Sequence, residues 1–268
     1  MGTRVLIGAC GGLTGCYLAR QFRKLEDVTV VGADSGVHHV TRPFLDEVTV
    51  LPGASSPEFL EQLAKTLNQR RIDCYVPTYS QEIKTVAKHE DWLRSVWSGD
   101  FLVSPYETHL KLDNKRIAHE NLPQAGLPVP KLAEAPGPEI LYSVFMKPNV
   151  GSGGKKAHVV ESEALHREYA RLYPNHSFYQ LIQGTEYTVD CMFDAGGHLL
   201  AYNQRTRLKD MGGAVTITQN NYDFDILPYL RRLENAFVFK GCVNFQYILA
   251  GDVPYLMSIC AMPPAGFL

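Results

Sequence analysis

The hydrophobic pattern of this chain changes character near residue 140, and that change restricts the folds open to it. Up to residue 103, apolar runs alternate with amphipathic stretches. Residues 4–9, 28–33, 47–51 and 73–77 read as buried strands, and residues 13–24, 57–68 and 81–96 as helices. Strands and helices at that interval predict a parallel, doubly wound α/β unit, closed by residues 101–103. Ser104-Pro105 then opens a helix carrying residues 111–115, and the following helix ends at residues 124–130. From Tyr142 onward the pattern is one of strands and hairpins, at 144–147, 158–160, 178–182, 187–193, 198–206, 242–249 and 255–260. One helix is expected at about 223–239. The Asp194-Ala-Gly-Gly197 turn predicts a hairpin. The fold class is therefore α/β followed by α+β.

A chain of 268 residues suits two compact units. A net charge of −2 leaves no basic excess to neutralise nucleic acid or an anionic membrane. No run of 18 apolar residues supplies a membrane span, and the N-terminus lacks a signal-peptide core. The six cysteines (10, 16, 74, 191, 242 and 260) include no Cys-x-x-Cys pair, so reduced thiols in a cytoplasmic protein are expected.

Two glycine-rich segments compete for a phosphate ligand. Gly8-Ala-Cys-Gly11-Gly12-Leu-Thr-Gly15 follows a strand and opens a helix, with Asp34 about 20 residues on. By motif this is a dinucleotide fingerprint, and an NAD(P)-dependent enzyme is one reading; a tight strand-to-helix turn without cofactor is the other. The second segment runs from Phe145-Met-Lys147-Pro through Gly151-Ser152-Gly153-Gly154-Lys155-Lys156. Glycines let backbone N–H groups approach phosphate oxygens, and lysines add compact positive charge. It is not a Walker A loop, because no hydroxyl follows Lys155 or Lys156. A plain exposed hairpin is the alternative. Lys147 ends an apolar strand, where a cation has little reason to be unless it meets a ligand.

Several words in order resemble the ATP-grasp superfamily, in particular the branch of the carbamoyl-phosphate synthetase large subunit. They are Val30-Val-Gly-Ala-Asp-Ser35, Val76-Pro-Thr-Tyr-Ser-Gln-Glu82, Ser104-Pro105, Asp113-Asn-Lys115, Leu127-Pro-Val-Pro-Lys131, Met146-Lys-Pro148, Glu186-Tyr-Thr-Val-Asp190 and Arg205-Thr-Arg207. The resemblance implies a Rossmann-like domain over 1–103 that holds no dinucleotide. An ATP-grasp domain over 104–268 would follow, in subdomains 104–177 and 178–268. It implies ATP as cofactor, with Lys115, Lys147 and the loop Gly151, Ser152, Gly153, Gly154 and Lys155 on the phosphates. Gln180, Leu181 and Ile182 become the adenine hinge, with an amide where the family has glutamate, and Glu186 accepts the ribose hydroxyls. Arg205 and Arg207, on one strand face, are aimed at phosphate or an acyl phosphate. Solvated surface residues remain the alternative for Lys115, Glu186 and both arginines.

The resemblance also exposes a defect. The family holds magnesium with one ligand on the penultimate strand and a Glu-x-Asn pair on the last, followed by an arginine. Gln246 stands at the first position, but Ser258 stands at the glutamate, Cys260 at the asparagine and Met262 at the arginine. After Glu234 the only acidic residue is Asp252, in a hairpin turn. Magnesium wants anionic oxygen, so its binding is expected to be weak or absent. The expected function is a carboxylate–amine ligase with an impaired magnesium site, taking small-molecule substrates. The alternative is a non-catalytic nucleotide-binding relative. A homodimer or another partner completing the short C-terminus is a further expectation. Glu82 and Tyr79 are expected to face the interdomain cleft and orient an amine.

Overall fold

The computed structural model describes residues 2–36, 39–151, 157–211 and 214–260, with the side chains of 209–211, 214–216 and 260 left out. The first unit alternates strand and helix: β1 (Thr3–Ile7), α1 (Leu13–Phe22), β2 (Val28–Asp34), β3 (Glu47–Val50), α2 (Phe59–Gln69), β4 (Cys74–Val76), α3 (Ser80–Lys88) and α4 (Glu90–Val96). Its strands form a parallel sheet in the order β3-β2-β1-β4. Two buried clusters fix it, one around Leu6, Leu63, Leu67 and Tyr75, the other around Ile7, Cys10 and Val30.

The helix expected over 81–96 is two helices, because the chain bends at His89, whose φ of −119° lies outside the helical range. Residues 101–103 carry no strand. Asp100 and Asp73 instead exchange backbone bonds with their neighbours beside β4.

The expected helix through 111–115 is also two, α5 (Tyr106–Leu112) and α6 (Lys115–Asn121). Asn114 is the reason. Its side-chain oxygen accepts from the backbone N–H of Arg116 at 2.9 Å and of Ile117 at 3.3 Å, which starts a new helix at Lys115. Asn114→Ala is expected to lower stability by about 1 kcal/mol, read as a shift in urea midpoint without a change of slope.

A three-stranded antiparallel sheet follows, in the order β6-β5-β7: β5 is Val144–Pro148, β6 His158–Val160 and β7 His176–Gln180. Helix α7 (Glu163–Leu172), absent from the sequence reading, packs its Tyr169 and Ala170 against this sheet. The last unit is a five-stranded antiparallel sheet in the order β10-β9-β8-β11-β12. Its strands are β8 (Thr185–Phe193), β9 (Leu199–Met211), β10 (Ala214–Asn220), β11 (Gly241–Ala250) and β12 (Val253–Cys260), with α8 (Leu227–Ala236) before β11. Strand β10 was not expected, β9 runs five residues further than expected, and α8 is shorter at both ends.

Period two divides this sheet into an apolar and a polar face. Tyr187, Val189, Cys191, Phe193, Val243, Phe245 and Tyr247 are buried against Leu230 and Leu233 of α8 and Leu112, Ala118 and Leu122 of the preceding helices. The intervening residues, Glu186, Thr188, Asp190, Asn244 and Gln246, share the other face.

Candidate functional site

Strand register alone assembles the polar face. Ser258 of β12 opposes Gln246 of β11, Gln246 opposes Thr188 of β8, and Thr188 opposes Arg205 of β9. Directly paired residues project to one side, so these four make a transverse row across four strands. The next row holds Asn244, Asp190 and Asn203.

The row begins where the three-stranded sheet meets the last strand. Lys147 of β5 is 8% exposed; its Nζ donates to the Met257 carbonyl at 2.9 Å and lies 4.5 Å from the centroid of the Tyr179 ring. Burial, aided by the neighbouring Lys115, lowers its pKa to about 7. Lys115, the first residue of α6, donates through Nζ to the Gly151 carbonyl at 2.6 Å. Leu112, Lys115, His119, Lys147, Tyr179 and Ser258 therefore line one small cavity between the two sheets. Gly151 has φ +128°, a conformation that favours glycine. Ser152, Gly153, Gly154 and Lys155 lie outside the described residues.

Gln180 closes β7, with its backbone N–H donated to Lys131 at 2.7 Å. Leu181 and Ile182 lie beyond the strand rather than within it, in the segment that leads to β8. That segment runs tight against β11: a Cβ at Gly184 would collide with the Leu249 carbonyl.

Both arginines point to the polar face, as their alternation predicts, but each already has an acid. Arg205, 8% exposed, donates from Nη2 to Asp190 at 2.5 Å, and Asn244 Nδ2 donates to the second Asp190 oxygen at 2.6 Å. Asp190 is fully buried, and that burial raises its pKa although Arg205 and Asn244 pull the other way. Arg207 pairs with Glu186 at 3.1 Å, so the expected ribose acceptor and the expected acyl-phosphate arginine hold each other. The sequence reading did not pair Asp190 or Asn244 with Arg205, although the two-residue period from Glu186 marks Asp190 as a neighbour on the same face.

The residues expected at the magnesium positions do not suit that ion. Ser258 Oγ donates to Gln246 Oε1 at 2.9 Å, so a hydroxyl and an amide satisfy each other where a hard cation needs carboxylate. Among the described residues no group of three or more His, Cys, Asp or Glu is placed to hold a metal. The side chain of Cys260 and all of Met262 lie outside the description.

The glycine-rich turn after β1 is filled from within. The Gly11 N–H donates to Asp34 at 2.8 Å, and the Thr78 hydroxyl donates to the Gly8 carbonyl at 2.7 Å. Glu82 packs under Gly8 with no room for a Cβ, and it accepts from the Tyr75 hydroxyl at 2.6 Å. The Gly11 N–H is thus already taken by a carboxylate, and a second carboxylate is packed against Gly8. Glu82 is buried rather than facing a cleft, and burial raises its pKa to about 7; Tyr79 is exposed. Burial likewise lifts the Cys10 thiol to about 12, which keeps it protonated.

Residues 178–267 match a family model described as ATP-grasp in the biosynthetic pathway with Ter operon. No curated protein matches the chain by sequence. Among solved structures the chain is similar to N5-carboxyaminoimidazole synthetase from Staphylococcus aureus complexed with ADP. That match has a TM-score of 0.75 and 15% identity, over 98% of this chain and 71% of that one. An L-amino acid ligase from Bacillus licheniformis matches with a TM-score of 0.72 and 17% identity, over 97% and 67%. The biotin carboxylase domain of Hydrogenobacter thermophilus 2-oxoglutarate carboxylase, with MgADP and bicarbonate, matches with a TM-score of 0.71 and 14% identity. Here the chain spans 98% of itself and 64% of its counterpart. At such identities the likeness is one of fold.

Proposed function

Because the chain belongs to the ATP-grasp superfamily, we propose that it binds ATP between its two antiparallel sheets and descends from carboxylate–amine ligases acting through an acyl phosphate. The observation that carries this reading is Lys147. Among the described residues no carboxylate pairs with this buried lysine, which stacks on Tyr179 beside a second lysine, and such a charge is costly to keep unless an anion uses it. In this reading Lys147, Lys115 and the 151–155 loop take the phosphates, and the backbone of Gln180, Leu181 and Ile182 takes the adenine edge. Glu186 accepts the ribose, while Arg205 and Arg207 frame the face where the acyl group is activated. ATP supplies the phosphoryl group; the chain supplies orientation and charge. Residues 1–103 form the Rossmann-like domain, whose exposed Tyr79 borders the acceptor cleft. The grasp domain follows from 104, and its two subdomains divide where β7 ends.

The Ser258–Gln246 hydrogen bond favours a second reading, a nucleotide-binding relative with little or no turnover, since phosphoryl transfer depends on charge neutralisation that this pair does not provide. The five cysteines whose side chains are described are free thiols, which suits a reducing compartment, and we place the protein in the cytoplasm, acting on a small molecule. No helix among the described residues is long and apolar enough to cross a membrane.

Release of inorganic phosphate from ATP, assayed with magnesium and mixed carboxylates and amines, separates the two readings. The expected rate lies far below that of a working ligase. Ser258→Glu is expected to make nucleotide affinity rise on addition of magnesium. Brisk turnover by the unaltered protein would overturn the impaired-site reading.

A further inference from the structure

The transverse row on the five-stranded sheet has the wrong polarity for a cation and the right one for an anion. Ser258 donates into Gln246 Oε1, which commits the acceptor end of that amide and leaves its NH₂ group as the end free to meet a ligand. Two further polar atoms of the same row, Thr188 Oγ1 and Arg205 Nε, are buried and have no hydrogen-bond partner among the described residues. Both belong to side chains more than nine-tenths buried, Thr188 at 5% and Arg205 at 8% exposure. A buried donor left without an acceptor is unfavourable, so the pair holds a standing preference for one. Asp190, in one adjacent row, has both oxygens engaged, by Arg205 Nη2 and Asn244 Nδ2, and Glu186, in the row on the other side, pairs with Arg207. Three donors of different kinds (amide, hydroxyl and guanidinium) thus stand on consecutive strands, the guanidinium being paired with Asp190 through Nη2 and keeping its Nε for a further acceptor. The row starts at Ser258, the residue after the carbonyl that receives Lys147, so it continues directly from the lysines.

We propose that the row Gln246–Thr188–Arg205 is an oxyanion site that receives the terminal phosphate of a metal-free nucleoside triphosphate, in the place where a magnesium-dependent site would hold a cation. It rests on the nucleotide reading above and adds a ligand form to it. The protein selects the free triphosphate, not its magnesium complex, and distinguishes triphosphate from diphosphate by direct hydrogen bonds.

The test compares ATP and ADP binding to the full chain by calorimetry in EDTA, then with excess magnesium. The unaltered protein is expected to bind ATP about tenfold tighter than ADP in EDTA, the size of one charge-assisted contact, and to lose that margin when magnesium is added. Thr188→Val removes a hydroxyl that has no partner, so folding is preserved; it should weaken ATP several-fold and leave ADP unchanged. Gln246→Glu should weaken ATP in EDTA more severely. Equal affinity for ATP and ADP in EDTA overturns the proposal while leaving nucleotide binding intact. So does equal affinity accompanied by acetate or bicarbonate tightening ADP through Thr188, which would give the row to a carboxylate. Failure of both nucleotides to bind removes the nucleotide reading and this proposal with it.

Discussion

Asp190→Ala is expected to destabilise the protein by about 3–5 kcal/mol, the cost of stranding the buried Arg205 guanidinium. The pair itself is not a net source of stability. Burial raises the Asp190 carboxyl above its usual range, which means desolvation outweighs the attraction of Arg205 and Asn244. The native state accordingly holds the proton more tightly than the unfolded chain. This group's contribution is most favourable below the unfolded pKa and declines as pH rises through the folded value. The large effect of the single variant comes from breaking the pair, so Asp190→Leu with Arg205→Met should recover most of the loss. Chemical denaturation of the two variants checks both statements. A double variant as unstable as the single one would show that the pair stabilises the sheet outright.

Lys147→Ala is expected to weaken ATP binding at least tenfold, because a charge-assisted contact in a buried site contributes about 1.5–3 kcal/mol. The same residue makes a second, opposite effect on stability. Its pKa falls from 10.5 to about 7 on folding, so between those values the unfolded chain binds a proton that the native state does not. Stability should therefore rise as pH increases from 7 toward 10, and Lys147→Met should remove that dependence while raising stability at pH 7 by a few kcal/mol. Nucleotide phosphate restores the charge, so binding above pH 7 should take up a proton and weaken with rising pH. Thermal melts of the Met variant across pH, and titrations in buffers of differing ionisation enthalpy, read these signs. A Met variant with unchanged melting temperature and pH profile would mean that Lys147 is not held at a cost.

Much of the architecture was legible because alternation and interval are one-dimensional signals. The order of strands around 4–9, 28–33, 47–51 and 73–77, and the two-sided character of 187–193 and 242–249, follow from the side-chain period alone. What stayed hidden depends on contacts distant in sequence or on single capping side chains. Helix α7 was missed because half of it is charged or polar and only Tyr169 and Ala170 of its apolar residues pack on the sheet core; β10 was missed because Thr218, Gln219 and Asn220 are strand residues only by pairing with β9. The break between α5 and α6 rests on one asparagine. At the site, sequence alone reached the arginines, Lys147 and the absence of acids at 246, 258 and 260. It did not reach their partners. Asp190, Asn244 and the Met257 carbonyl are neighbours of those residues through strand register, not through spacing along the chain.

The central claim is that nucleotide lies between the antiparallel sheets and not on the glycine-rich turn of the first unit. An acyl-phosphate derivative of ATP, which transfers its acyl group to a lysine amine beside the phosphates and leaves ATP, tests this most directly when labelled peptides are mapped by mass spectrometry. The account predicts acylation of Lys147 or Lys115, suppressed by excess ATP, with the lysines of the first unit untouched. ATP-protected labelling confined to Lys24, Lys84 or Lys88, with Lys147 and Lys115 unmodified, would contradict it.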